Sequence, residues 1–240
     1  MYGLHAVRTL LERSPERIRA IHLAVERDDP RVRQIEALAR AAGRPLERVP
    51  AEALRQRLGD AAHQGVLAEI DALAPWTEAQ LLGALAAAQA PLLLALDGVQ
   101  DPHNLGACLR TADACGALAV IVPRDRAAQV TPVVRKVAAG AAETTPVVVV
   151  TNLARTLELL KEAGLWVIGA AAEAPQPASA TDLTGGVVLV LGAEGSGLRQ
   201  LTRQRCDLLV RLPSRGTVES LNVSVAAGML LYEALRQRGG

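Results

Sequence analysis

Five uninterrupted apolar runs of strand length are the feature that most restricts how this chain can fold. Segments with helical spacing separate most of them, at 105–115, 131–142 and 152–163. Strands without polar alternation are buried on both faces, and intervening helices supply the cover that a parallel sheet needs. The sequence therefore predicts a parallel α/β sheet built from the runs 92–96, 118–122, 147–150, 165–170 and 187–191.

The first seventy or so residues read as a separate, smaller α/β unit. Asp29 and Pro30 are a favourable helix start, and apolar residues then recur at helical spacing until Gly43. Runs at 21–25 and 66–70 are strand candidates, and Pro75 and Pro91 bracket an alanine-rich stretch. We therefore expect a domain at 1–72, a linker at 73–90 and a second domain at 91–240.

Composition excludes several classes of protein. Half of the 240 residues are hydrophobic, which excludes wholesale disorder, and a net charge of +1 excludes bulk electrostatic adhesion to nucleic acid or membrane. The chain has no Phe and only two each of Trp and Tyr, which argues against aromatic stacking as the main way of holding bases.

The cysteines and the apolar stretches bear on metals and membranes. Cys108, Cys115 and Cys206 form no CxxC pair, so neither a disulfide framework nor a zinc site is expected. The aliphatic stretch 81–96 is too short to span a bilayer, and the N-terminal residues lack the apolar run of a signal peptide. We expect a soluble, cytoplasmic protein without a metal.

Three loops follow predicted strands, where ligands of parallel α/β sheets bind. In the first, 97–113, Asn104 is a candidate cap for a helix beginning near Leu105. Arg110 lies off the apolar stripe of that helix and is a candidate phosphate contact. A capped helix with a solvated arginine is the alternative interpretation.

The second loop, 191–199, is rich in glycine, which allows backbone N–H groups to approach a ligand closely. Its spacing is not GxGxxG, and the chain has no GxxxxGK[ST] motif. Glu194 would repel a pyrophosphate, which disfavours NAD and ATP and favours a ligand with hydroxyl, amine or cationic groups. A simple strand-to-helix turn is the alternative.

In the third loop, 211–228, Asn222 or Ser220 is a candidate cap for a very apolar helix. The stretch from the second to the third loop is the one locally basic segment, with a single Asp207. It is a candidate contact for an RNA backbone, although a solvated helix face is the commoner reason for such charges. Its arginines are Arg199, Arg203, Arg205, Arg211 and Arg215.

Together the three loops resemble, in order, the three motifs of the SpoU (TrmH-like) branch of the SPOUT methyltransferases. The stretch 2–7 and His63-Gln64-Gly65 look like the small RNA-binding domain of the branch that methylates guanosine riboses of 23S rRNA. The resemblance implies a C-terminal Rossmann-like parallel sheet with a deep trefoil knot and an L30e-like N-terminal domain. It also implies a homodimer with shared active sites.

The resemblance further implies transfer of a methyl group from S-adenosylmethionine to a ribose 2′-hydroxyl of 23S rRNA. Arg110 is expected to clamp phosphate and stabilise the developing alkoxide, since a guanidinium scarcely deprotonates. Glu194 is a candidate proton acceptor. The implied catalytic residues are Asn104, Arg110, Glu194, Ser220 and Asn222; cofactor contacts are Leu191, Gly192, Gly197, Leu212, Pro213 and Leu221; RNA contacts are His63, Arg199, Arg203 and Arg215.

Three alternatives stay open. The same chemistry on tRNA or another rRNA site is the nearest, and a non-catalytic RNA-binding assembly factor is the second. The third is a dinucleotide-dependent oxidoreductase, but this chain lacks the GxGxxG motif of such enzymes. The chain departs from the family at Ser214-Arg215, where smaller, uncharged residues are expected, and this places the exact substrate in question.

Overall fold

The computed structural model describes residues 1–59, 63–71, 73–217 and 221–239. The chain divides into two compact units, Met1–Leu73 and Ala74–Gly240. In the part of the chain that the model describes, no helix is long and apolar enough to cross a membrane. Within the same residues, no group of three or more His, Cys, Asp or Glu side chains is placed to hold a metal ion.

The first unit is a three-stranded sheet with helices packed on it. The central strand pairs in parallel with one neighbour and antiparallel with the other, in the order β2-β1-β3. Asp29 caps the second helix, as the sequence predicts, by accepting from the backbone N–H groups of Arg31 and Val32. The elements are α1 Leu4–Arg13, β1 Ile18–Ala24, α2 Pro30–Ala41, β2 Leu46–Val49, α3 Ala51–Leu58 and β3 Val66–Ile70.

The second unit is the parallel sheet that the apolar runs predict. Seven strands lie in the order β6-β5-β4-β9-β7-β10-β8, and each recorded pairing is parallel. Its elements are α4 Glu78–Leu85, β4 Leu92–Asp97, α5 Pro102–Ala114, β5 Ala119–Pro123, α6 Pro132–Val137, β6 Val147–Val150, α7 Leu153–Glu162, β7 Trp166–Ala170, β8 Gln176–Pro177, β9 Val187–Gly192, α8 Gln200–Arg205, β10 Leu208–Arg211 and α9 Val223–Gln237.

Both faces of this sheet are buried, which explains why its strands do not alternate with polar residues. Leu92, Leu94 and Leu96 of β4 pack on one face with α5 and α9, whereas Leu93 and Ala95 pack on the other with α4 and α7. Helix α4 lies in the stretch expected to be a linker, and its leucines are buried in the core of the second unit.

Two helix bounds differ from the prediction. Helix α5 begins at Pro102 and not near Leu105, because Asp101 is its cap and accepts from the backbone N–H of His103 at 2.9 Å. The prediction that Asn104 caps this helix was therefore wrong. Helix α6 ends at Val137, since the next residues, Ala139 and Gly140, take left-handed backbone conformations.

Candidate active site

The loops after β4 and β9 begin side by side at the carboxyl edge of the sheet. Asp97 and Gly192, the last residues of these strands, are register partners. The Asp97 side chain is buried, and its Oδ2 accepts a hydrogen bond from the backbone N–H of Arg199 at 2.8 Å. The far end of the glycine-rich loop is thereby tied to the end of β4.

Helix α5 brings Asn104 into this edge. Because the helix starts at Pro102, Asn104 lies in its first turn and is only 8 % exposed. A buried amide needs partners, and the first turn directs this one toward the glycine-rich loop and the start of α9.

Asn222 begins α9 as its N-cap, as the sequence predicts. Its Oδ1 accepts from the backbone N–H groups of Ser224 at 2.9 Å and Val225 at 3.4 Å. Since the oxygen caps the helix, the Nδ2 group remains available for the neighbouring side chains. Ser220, the other candidate cap, lies outside the described residues.

Asn104, Glu194 and Asn222 form a closed triangle of hydrogen bonds, which we call the amide–carboxylate cluster. Asn222 Nδ2 donates to Asn104 Oδ1 at 3.0 Å and also to Glu194 Oε1. Asn104 Nδ2 donates to Glu194 Oε1 at 3.3 Å. The three loops of the sequence prediction therefore meet at these three side chains.

The two oxygens of Glu194 have different surroundings. Oε1 also accepts from the backbone N–H of Val223 at 3.4 Å, at the positive end of the α9 dipole. Oε2 has no hydrogen-bond partner among the described residues, and the residue is exposed. The carboxylate is thus held by one oxygen and presents the other to solvent.

The glycine-rich loop is a tight turn. Gly197 donates its N–H to Ala193 O at 2.9 Å and adopts a φ of 64°, which favours glycine. A Cβ on Gly192 would lie 2.0 Å from the carbonyl carbon of Gly197, so only glycine fits there.

The other predicted cofactor contacts occupy nearby positions. Leu191 is buried at the end of β9, while Leu212 and Pro213 follow directly after β10. Leu221 precedes the cap of α9 and is 42 % exposed. S-adenosylmethionine presents an amine, hydroxyls and a sulfonium cation, and the backbone N–H and C=O groups of these loops, together with the exposed Leu221, fit the chemistry of such a ligand.

Arg110 is exposed on α5, on the side away from the apolar stripe. Its guanidinium makes no hydrogen bond or ion pair with any described residue. A charged group without a partner is available for a ligand or for another chain.

Several arginines of the predicted RNA-binding segment are paired within the chain. Arg199 pairs with buried Asp97, with 3.5 Å between Nη1 and Oδ1, and Arg203 pairs with Glu173. Arg205 pairs with Glu158 at 3.5 Å. The pairing of these charges reduces the basic character that the sequence suggested for this segment.

The remaining predicted RNA contacts, Arg215 and His63, take no part in these ion pairs. Arg215 is exposed in the loop after β10 and has no partner among the described residues. His63 belongs to the first unit, where its Nδ1 accepts from the backbone N–H of Gly65 at 3.1 Å. A ring nitrogen that holds a turn in this way has a structural role independent of any ligand.

Sequence reasoning missed the loop after β7. This loop is fixed beside β10, because Arg211 Nη1 donates to Ala174 O at 2.8 Å and to Pro175 O. It therefore borders the same edge as the glycine-rich loop. Its residues are small and mostly apolar, and the only signal in the sequence was its place directly after a buried strand.

The cysteines are not suited to nucleophilic chemistry. Burial raises the pKa of the Cys108 thiol to about 12, and burial, followed by the nearby Asp207, raises the pKa of Cys206 to about 12. Because the thiolate is the reactive form, both thiols are inert at neutral pH.

Family models match nearly the whole chain. Residues 91–232 match the SpoU rRNA Methylase family, and residues 1–76 match the model described as RNA 2′-O ribose methyltransferase substrate binding. Full-length relatives are 23S rRNA (guanosine-2′-O-)-methyltransferases RlmB. The protein of Pseudomonas putida is 54 % identical over 243 residues, covering 99 % of this chain and 96 % of its own. That of Haemophilus influenzae is 49 % identical over 241 residues, covering 100 % and 98 %.

Solved structures share this architecture. An AdoMet-bound rRNA methyltransferase from Sinorhizobium meliloti superposes with a TM-score of 0.72 at 25 % identity, covering 98 % of this chain and 86 % of its own. The SpoU methyltransferase AviRb from Streptomyces viridochromogenes, in complex with AdoMet, gives a TM-score of 0.75 at 24 % identity and covers 100 % and 90 %. At this identity, the likeness to AviRb is evidence for the fold of this chain alone.

Proposed function

The chain belongs to the SpoU rRNA methylase family, and from this premise we propose how its active site works. It is an S-adenosylmethionine-dependent RNA 2′-O-ribose methyltransferase, and its substrate is a guanosine of 23S rRNA, as in the relatives that are about half identical over their full length. The amide–carboxylate cluster carries this assignment, because three hydrogen bonds to one oxygen fix the carboxylate of Glu194 within the glycine-rich turn.

When bound, the cofactor supplies an electrophilic methyl group on a sulfonium. Main-chain groups around Gly192, Leu212 and Leu221 hold it, with further contacts from Leu191, Gly197 and Pro213. The protein's own residues then align the ribose hydroxyl with that methyl and accept its proton, because an unassisted hydroxyl is a poor nucleophile.

Glu194 is the proton acceptor in this proposal. Its Oε1 is fixed by Asn104, Asn222 and the start of α9, while Oε2 is free for the 2′-hydroxyl. With the methyl donor in place, Oε2 would accept the proton that the 2′-hydroxyl gives up on methylation. Asn104 and Asn222 are therefore positioning residues for the carboxylate.

Arg110 binds the phosphate next to the reacting ribose and stabilises the negative charge that develops on its oxygen. The proposal is supported by its exposure and by the absence of any partner for it among the described residues. A guanidinium does not serve as a base at neutral pH, so its role is electrostatic.

The chain works as a homodimer in this proposal, with α9 at the interface. The outer face of α9 and the residue before its cap expose Leu221, Val225, Met229 and Tyr232 by 42, 50, 44 and 63 %. Large apolar side chains grouped on one helix mark a surface that a second chain covers. Arg110 is exposed on α5, which packs against α9, so a partner chain can receive it.

The first unit binds the RNA substrate, with His63 among its contacts. Arg215 of the second unit is a separate RNA contact in this proposal. The match of residues 1–76 to a substrate-binding family supports this role. Because the substrate is ribosomal RNA, we place the enzyme in the cytoplasm. A fragment that starts at Ala74 is expected to bind S-adenosylmethionine but to methylate rRNA poorly.

Incubation of the full chain with unmodified 23S rRNA and methyl-labelled S-adenosylmethionine tests the activity. We expect one guanosine to become resistant to alkaline cleavage at its 3′ side, the signature of a 2′-O-methyl group. Labelling of tRNA but not of 23S rRNA would show that the substrate class is wrong.

The variant Glu194→Gln tests the proton acceptor in the same assay. The amide keeps the size and the contacts of the Oε1 side while it removes the charge and the basicity. We expect the transfer rate to fall far more than the affinity for S-adenosylmethionine. A variant that transfers methyl at the wild-type rate would remove Glu194 from the mechanism.

A further inference from the structure

A cavity of about 600 Å³ lies where β4, β5 and β6 end, on the same edge of the sheet as the active site. Its walls are the loop after β5, the start of α7 and the start of α8. A second cavity of about 330 Å³ shares Thr151 with it. Cavities of this size at the carboxyl ends of parallel strands are the usual places for ligands.

The walls of the larger cavity carry polar side chains that the chain itself does not use. The side chains of Asp125, Arg126 and Gln200 are exposed and make no hydrogen bond or ion pair with any described residue. Leu201, which also lines the cavity, is 61 % exposed. The cavity therefore offers donors, acceptors and an apolar surface together.

A buried ion pair fixes one wall. The Asp97 side chain is 0 % exposed, and its Oδ1 has no hydrogen-bond partner among the described residues, although Arg199 Nη1 lies 3.5 Å away. The Arg199 side chain itself is 46 % exposed. The buried carboxylate thus holds a guanidinium that still faces the cavity.

The backbone at the rim is strained. Arg126 has a φ of 55°, in the left-handed region that side chains other than glycine, asparagine and aspartate rarely adopt. Strain of this kind is concentrated at ligand sites, where the surrounding structure compensates for it. Arg126 lines the cavity from this backbone position.

We propose that this cavity binds a nucleotide of the RNA substrate other than the one that is methylated. An RNA nucleotide has a phosphate for Arg126 and Arg199, a base edge for Asp125 and Gln200, and an apolar base face for Leu201. None of the three residues of the amide–carboxylate cluster lines the cavity, so the reacting ribose lies elsewhere. The inference rests on the proposed function.

The double variant Arg126→Ala/Leu201→Ser tests this site, and Lys161→Ala is the control. Lys161 is a cation at the far end of α7, paired with Glu158 at 2.9 Å and outside the cavity. In the double variant we expect KM for 23S rRNA to rise about tenfold or more, with kcat and the affinity for S-adenosylmethionine unchanged. The slope of log affinity against log salt concentration for RNA binding should become shallower by about one unit. Lys161→Ala should match the wild type.

Equal KM values and salt slopes in the double variant, Lys161→Ala and the wild type would overturn the proposal. Binding of a single-stranded RNA oligonucleotide, measured without methyl transfer, gives a readout independent of the enzymatic activity. Weaker binding in the double variant supports the cavity even if the wild type methylates a different RNA. Loss of S-adenosylmethionine binding would show that the two substitutions disturb the fold. Arg126→Gly, which relieves the strained φ, is then measured, and a KM for 23S rRNA equal to that of the wild type overturns the proposal.

Discussion

Asn222 Nδ2 donates a hydrogen bond to Asn104 Oδ1 at 3.0 Å, although 118 residues separate them. The contact joins the cap of α9 to the first turn of α5. Each asparagine therefore has two functions. Asn222 caps α9 and Asn104 fills a buried position in α5, and both side chains fix the carboxylate of Glu194. Stability and catalysis are coupled at this point of the molecule.

Substitutions of Asn222 separate the two functions. Asn222→Ala removes the cap and the Nδ2 donor, and we expect it to lower the free energy of unfolding by about 1 kcal/mol and to slow methyl transfer. Asn222→Ser keeps a capping oxygen and loses only the donor. It should keep nearly the wild-type stability in urea denaturation but transfer methyl as slowly as the alanine variant. A serine variant with full activity would show that the Nδ2 contact does not matter.

The sequence predicts the sheet well because burial on both faces leaves a direct trace. The predicted run 147–150 coincides with β6, and the other four runs match their strands within one residue at each end. Strands β8 and β10 have no such trace, since β8 has two residues and β10 follows a polar helix. The deep trefoil knot stays a prediction.

The site was harder to predict at the level of contacts. The three loops are visible in the sequence, but Asp101 and Asn104 are both good caps, and only the structure decides between them. Likewise, a run of arginines does not reveal that Asp97, Glu158 and Glu173 neutralise several of them. Such pairings depend on tertiary distances.

Arg110→Ala should nearly abolish methyl transfer while it leaves the affinity for S-adenosylmethionine unchanged. The guanidinium makes no contact with any described residue, so its loss removes only the interaction with RNA and the developing alkoxide. Loss of such a contact typically costs about 3–4 kcal/mol of transition-state stabilisation. Single-turnover rates and calorimetric cofactor titrations measure the two effects. Arg110→Lys, which keeps the charge, should recover part of the rate; full activity in the alanine variant would exclude the role.

Gly192→Ala should abolish binding of S-adenosylmethionine. The new Cβ would lie 2.0 Å from the backbone of Gly197, so the turn has to open. Calorimetric titration with the cofactor measures the loss. Gly185→Ala is the matched control, because a Cβ there meets nothing within 4 Å and its φ lies outside the left-handed region. Wild-type affinity in Gly192→Ala would mean that this turn does not form the cradle.

Glu233 on α9 should make stability depend on pH in the acid range. Hydrogen bonds from Arg236, then Gln237, lower the pKa of this carboxyl from 4.5 to about 2. A carboxyl with a lowered pKa stabilises the fold fully above about pH 4.5 and loses this contribution as the pH falls toward 2. Glu233→Gln should therefore be less stable than the wild type at pH 7, and the difference should shrink toward pH 2. Denaturation curves across this range measure it, and a constant difference would contradict the shift.

Mixing two variants that each transfer methyl slowly tests whether active sites are shared between the chains of a dimer. If Arg110 of one chain completes the cluster of the other, a dimer of one Arg110→Ala chain and one Asn222→Ala chain has one intact site and one doubly damaged site. Random reassociation of equal amounts makes half of the dimers mixed, so about a quarter of the wild-type activity should return. Each variant alone should stay at its own low rate.

The same mixture also distinguishes sharing from a dimer with independent sites. Chains that each contain a whole site remain damaged in every combination, so a mixture as inactive as its parents contradicts sharing. A third arm uses Met229→Glu, which places a charge on the exposed face of α9, where Met229 is 44 % exposed in the single chain. A buried, unpaired charge opposes association, so this variant should sediment as a monomer with its fold and its cofactor affinity retained. Because Arg110 then has no partner chain to reach, the monomer should not transfer methyl; an active monomer would show that each chain contains its whole site.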